Sequence, residues 1–178
     1  MSIFDLFRLD PTRGWADYRL VPLVYDLARG ELNGIPARVP FDRLRALGRP
    51  GGYRPLSPHS RAACYPTLGL EIELAQQWVD SFACLFQPRP ADPGAGKRSA
   101  FHSCEIVLQR EDGEGVRITA DTTLEEVREQ IGRGAVHRDE DGSMLQVRAG
   151  DAWLYFDFDA DGRLRVLDIE PEPVPVEP

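Results

Sequence analysis

In AWLYFDFDADGRLRVLDIE, residues 152–170, apolar and polar side chains alternate on both sides of an acidic turn. Leu154, Phe156 and Phe158 fall on one side of an extended chain while Trp153, Tyr155 and Asp157 fall on the other, the period of two that marks a strand with one buried face. Asp159-Ala160-Asp161-Gly162 then reverses the chain, because Asp tolerates the left-handed backbone region and Gly prefers it. Beyond the turn the alternation predicts Leu164, Val166 and Asp168 on one face, with Arg163, Arg165, Leu167 and Ile169 on the other. Such a pair is an antiparallel hairpin, and it sets the class of the chain around it.

Upstream, SMLQVRAG (143–150) reads as a further strand behind the polar loop HRDEDGS (137–143). Thr122 or Thr123 caps a short helix in which Glu125 and Glu126 suit the positive end of the dipole and Leu124, Val127 and Ile131 form the buried stripe. Gly132 closes that helix. Before it, CEIVLQREDGEGVRITADTT (104–123) holds two alternating runs around Asp112-Gly113, a second hairpin.

The first half follows the same order. Asn33-Gly34 in GELNGIPARVP (30–40) supplies the positive φ angles of a tight hairpin turn. Phe41, Leu44 and Leu47 lie three apart on a short helical face that Gly48 ends. In YPTLGLEIEL (65–74), Leu70, Ile72 and Leu74 alternate with Glu71 and Glu73, a half-buried strand with two carboxylates on its wet face. WVDSFACLF (78–86) is read as a strand with Trp78, Phe82, Cys84 and Phe86 on one face.

The expectation is therefore an α+β fold, with antiparallel sheet or sheets, short helices on one face, and a tandem duplication in which neither half buries a full core alone. An N-terminal arm spans 1–27, a first repeat 28–88, a Pro/Gly-rich linker 89–101, a second, acidic repeat 102–170, and an extended or disordered Pro-rich tail 171–178.

The chain has 178 residues and a net charge of −8, with 42% hydrophobic residues, enough for one ordinary soluble globular unit. The charge is uneven: residues 1–100 carry a net +3 and residues 101–178 a net −11. A surface of that sign disfavours nucleic acid and favours a basic partner. No apolar run reaches the length of about 18 residues that spans a bilayer. Cys64, Cys84 and Cys104 are an odd, widely spaced set that suits a reduced compartment, hence a cytoplasmic chain, rather than a disulfide framework. Lys97 is the sole lysine among 21 basic residues, a bias read as genomic G+C content, with a functional Arg requirement such as bidentate anion binding as the alternative.

Several constellations invite chemistry and decline it. Asp157-x-Asp159-x-Asp161-Gly162 resembles a calcium loop, but it sits between strands instead of helices, and Arg165 stands near an oxygen-bearing position. It reads as a turn, and no metal is expected. His102 and Cys104, two apart on a predicted strand, are read as a chance pairing and not as a nucleophile and base. His59 and His137 have no ligand partner at zinc spacing. Gly94-Ala-Gly96-Lys97 lacks the strand–loop–helix setting of a phosphate loop. No catalytic residue and no cofactor follow from these readings. Glu71 with Glu73, and Asp157 with Asp159, are paired acids on strand faces, which makes a small hydrolase using surface carboxylates a secondary reading. Trp153 and Tyr155 beside Asp157 give the aromatic, acid-edged composition that interfaces favour at their centres, or equally the second packed face of a sandwiched sheet. The candidate partner-binding residues are thus Trp153, Tyr155, Asp157, Asp159, Glu71 and Glu73.

GELNGIPARVPFDRLRALGRP (30–50), YPTLGLEIEL, SCEIVLQREDGEGVRITADTTLEEV (103–127) and the terminal WLYFDFDADGRL (153–164) together resemble a bacterial family of uncharacterised immunity-type proteins. The repeated order of elements is similar to the tandem repeats of the β-lactamase inhibitor protein and of small outer-membrane assembly lipoproteins, without a lipobox cysteine near Met1. The resemblance implies a non-catalytic sheet that grips another protein, such as a basic toxin, or else a structural or assembly subunit. It supplies no catalytic residue.

Overall fold

The computed structural model describes residues 11–88 and 101–172. The first ten residues of the expected arm, nearly all of the linker and the end of the Pro-rich tail lie outside that range.

The described residues form two sheets. Strands β4 (Gly52–Ser57), β5 (Ser60–Tyr65), β6 (Leu70–Ala75) and β7 (Trp78–Leu85) form one antiparallel meander, and β10 (Ala135–Asp139), β11 (Gly142–Ala149), β12 (Ala152–Asp159) and β13 (Leu164–Pro171) form another. The two meanders join edge to edge through β7 and β13, where Phe82 stands opposite Ile169 and Cys84 opposite Leu167. The result is one eight-stranded antiparallel sheet in the order β10-β11-β12-β13-β7-β6-β5-β4. A smaller, five-stranded sheet takes the order β3-β2-β1-β8-β9, from β1 (Leu23–Asp26), β2 (Glu31–Leu32), β3 (Ile35–Pro36), β8 (Ile106–Gln109) and β9 (Gly115–Ile118). Its strands β1 and β8 run parallel.

The α+β expectation is overturned: strand makes up 49% of the structure and helix 11%, so the chain is β-rich and not a sheet with helices layered on one face. The physical reason is size. The 3-10 segment Phe41–Ala46 and the helix α1 (Leu124–Gln130) each bury a single residue, Leu44 and Val127, along their length. Neither can cover the apolar face of so wide a sheet. The small sheet does so instead: Leu23, Tyr25, Leu32, Ile106, Leu108, Val116 and Ile118 are buried in one cluster with Ile72, Phe82, Leu154, Phe156, Phe158, Leu167 and Ile169 of the large sheet. Each fully buried Leu, Ile or Phe contributes roughly 1.5–3 kcal/mol relative to exposure, so this shared interior dominates the folding free energy.

In both halves the order is hairpin, short helical segment, four-strand meander. The sheets nevertheless cross the halves. β1 falls inside the stretch read as an N-terminal arm, yet it pairs with β8 of the second half and sits in the middle of the small sheet. The β11–β12 turn packs on the end of β1 through Gly150, whose φ is 58° and whose missing Cβ would stand 1.9 Å from the Leu27 carbonyl oxygen. Only glycine fits there.

Two bulges break the expected alternation. Val166 pairs with Asp157 and Leu164 with Phe158, so Arg165 is an extra residue. Leu164, Leu167 and Ile169 therefore point inward together, while Val166 and Asp168 turn to the opposite face. On β7, Ser81 pairs with Glu73 and Val79 with Leu74, which leaves Asp80 extra. Val79 is consequently buried, and Trp78, expected on the inner face with Phe82, is instead 49% exposed.

Candidate functional site

The large sheet has a second face, turned away from the core. On β12 the burial alternates strictly, with Ala152, Leu154, Phe156 and Phe158 buried and Trp153, Tyr155, Asp157 and Asp159 half-buried. Across the ladders Tyr155 stands opposite Asp168, Asp168 opposite Ala83, and Ala83 opposite Glu71. Trp153 stands opposite Glu170, and Glu73 opposite Ser81. All of the candidate residues thus belong to one sheet face, with Tyr155 and Glu71 separated by three strand spacings, about 14 Å.

The side chains of that face are not equivalent. Glu71, expected on a wet face, is only 8% exposed. Arg54 of β4 forks onto it, with Nε 3.3 Å from Oε1 and a terminal nitrogen 2.5 Å from Oε2. The neighbouring Cys64 thiol donates to the same carboxylate at 3.8 Å. Burial, and then the Glu71 charge, push that thiol up to about 11, so Cys64 stays protonated and unreactive at neutral pH. Glu71 is a structural ion-pair partner, a correction to its reading as a solvated carboxylate. Glu73 remains half-buried and accepts from the Ser81 hydroxyl at 3.5 Å.

Asp157 is bound by Arg165, the bulge residue, at 2.8 Å. Asp159 builds the turn: its Oδ1 accepts the backbone N–H groups of Asp161 at 3.0 Å and Arg163 at 2.8 Å, and its Oδ2 accepts from the Gln87 side-chain amide at 2.9 Å. The Gln87 bond, followed by the Arg163 N–H, holds the Asp159 carboxyl below the ordinary Asp range. Its oxygens are committed to the chain itself, and among the described residues no group of acidic, His or Cys side chains is arranged to hold a metal ion.

Trp153 and Tyr155 form the apolar centre of the face. Burial, followed by the Glu170 charge, raises the pKa of the Tyr155 hydroxyl. Arg148, opposite Trp153 on β11, is exposed and reaches Glu172 at 2.6 Å. Asp168 and Glu170 are the residues that sequence reasoning missed. The alternation placed Asp168 with Leu164; the bulge at Arg165 places it beside Tyr155 instead. A Gly or a charged residue that interrupts an apolar period can signal such a bulge, and Arg165 amid Leu164, Val166 and Leu167 was that signal.

His102 and Cys104 do not share a strand face: His102 is exposed on an irregular segment and Cys104 is buried. Cys104 lies against Cys84, whose thiol is pushed well up by its hydrogen bond with Cys104 and by burial. All three cysteines are unpaired as disulfides. No helix of the described residues is long and apolar enough to cross a membrane. Comparisons with protein families, with curated protein sequences and with solved structures find no match to this chain.

Proposed function

We propose that this chain is a non-catalytic protein-binding module whose open sheet face occludes a basic protein, and that it acts as an immunity-type protein against a toxin in the reducing bacterial cytoplasm. One observation carries the reading. A sheet face bearing Trp153 and Tyr155 among Asp157, Asp168 and Glu170 is left half-open to solvent, where the opposite face of the same strands is fully buried. Rigid aromatics supply contact area at small entropic cost, and the surrounding carboxylates steer a cationic partner and fix its register. The β-sheet framework holds both in place before binding, which lowers the cost of ordering them.

The test is affinity capture with the immobilised chain, comparing wild type with Trp153→Ala and with Glu170→Lys. The reading predicts capture of a protein with a basic contact surface, weakened roughly 30-fold by W153A, the loss typical of a central interface Trp, and weakened by E170K in a salt-dependent manner. Equal capture by all three chains contradicts it.

A further inference from the structure

The small sheet ends at β9 in an edge that no other strand of the described residues covers. Its hairpin fixes which backbone groups face outward. Arg110 N–H donates to the Glu114 carbonyl at 2.8 Å and Gly113 N–H to the Arg110 carbonyl at 3.0 Å, which makes that pair the closing bonded pair of the β8–β9 ladder. Bonded and unbonded pairs alternate along an antiparallel ladder. Leu108 with Val116 and Ile106 with Ile118 therefore exchange hydrogen bonds, whereas Gly115 and Arg117 aim their N–H and C=O groups away from β8. The Leu27 N–H bond to the Gln109 carbonyl, 2.9 Å, fits this phase, since Gln109 faces β1.

Helix α1 runs beside this edge. Between them lies a groove of about 310 Å3, walled on one side by the consecutive edge residues Val116, Arg117, Ile118 and Thr119, and on the other by Thr122, Glu126 and Gln130, four apart on one flank. Asp121 also lines it. The Arg117 guanidinium is matched by Glu105 at 2.8 Å, so the acidic Asp121 and Glu126 set the sign of the groove. The other sheet edges are blunted: β4 contains Pro55, β3 is two residues long and ends in Pro36, and β10 carries His137, Arg138 and Asp139.

We propose that the β9–α1 groove is a second docking site, which receives an extended basic peptide segment of a protein partner by strand addition to β9. The peptide backbone pairs with Gly115 and Arg117, and alternate side chains of the peptide face Asp121 and Glu126. This site is separate from the face of β12 and β13 and does not depend on it.

The experiment uses the full chain, isotopically labelled for amide NMR, and the probe acetyl-Arg-Val-Arg-Val-Arg-Val-amide. The Gly115 and Arg117 amides are expected to shift and gain protection from exchange, and the matched Glu-Val peptide to bind at least tenfold more weakly. Arg117→Pro removes an outward donor while sparing the bonds to β8, and it is expected to weaken binding at least tenfold. Asp121→Lys is expected to weaken it as well. A probe N-methylated at every amide, which leaves neither edge able to pair, tests the same pairing with the chain unaltered, and it is expected not to bind. Unchanged affinity for the methylated probe, or shifts confined to β12 and β13, overturns the proposal.

Discussion

Glu71 illustrates how a single partner changes what a carboxylate is for. Its position on β6 alternates outward from Leu70 and Ile72, which is the pattern of a solvated acid, yet Arg54 and Cys64 close over it. That pairing is invisible to local periodicity because Arg54 lies two strands away on β4. Removing one member of a buried ion pair leaves the other uncompensated, at a cost of several kcal/mol in a fully buried site. Here the side chains of Arg54 and Glu71 retain 27% and 11% exposure, which reduces the cost. Arg54→Met is therefore expected to lower the unfolding free energy by about 2–3 kcal/mol in urea titration, and the double variant Arg54→Met/Glu71→Leu to recover most of that loss. Trp153 and Tyr155, by contrast, were legible directly, because strict alternation through Phe158 leaves them one face to occupy.

The β12–β13 hairpin shows both the reach and the limit of pattern reading at the level of elements. Its turn followed from Asp and Gly chemistry alone, and the structure adds the bonds that Asp159 accepts. Its return strand was misphased, because one extra residue inverts every side chain beyond it. The same inversion on β7 put Trp78 outside. Asp159 also ties the hairpin's stability to pH. Its folded pKa lies below the unfolded value of about 3.9, so its contribution is complete above that value and is lost as pH falls through the lower, folded one. Asp159→Asn keeps an acceptor for the turn but no charge. Its stability is expected to vary less steeply with pH below about 4 than that of the wild-type chain, as thermal unfolding across a pH series would record.

At the scale of the whole molecule, the repeated order of hairpin, helical segment and strands could be followed along the chain, but the layers could not. The pairing of β1 with β8 joins segments that lie far apart in the sequence, and a parallel pair leaves no turn signal between its strands. Nor does a strand's alternation disclose whether a helix or a second sheet will cover its apolar side. With both sheets drawing strands from both halves, the halves should unfold together. Tryptophan fluorescence and far-ultraviolet circular dichroism are expected to report one coincident transition in denaturant, and two separated transitions would contradict a shared core. The −11 of the second half also acquires a location. Asp157, Asp168 and Glu170 bring part of it to the open face around Trp153 and Tyr155, where a cationic partner would meet it.

Trp15 stacks on Phe41 against the core, whereas Trp78 and Trp153 stand on the outer face of the large sheet, so Trp15 and Trp153 act as internal reporters of where a partner sits. Oxidative footprinting of the chain with and without its captured partner tests the central claim most directly. Binding on the outer face of the large sheet predicts that Trp153 and Tyr155 lose most of their labelling while Trp15, stacked on Phe41 and packed against the core, keeps its own. Protection of Trp15 with Trp153 unchanged would contradict it.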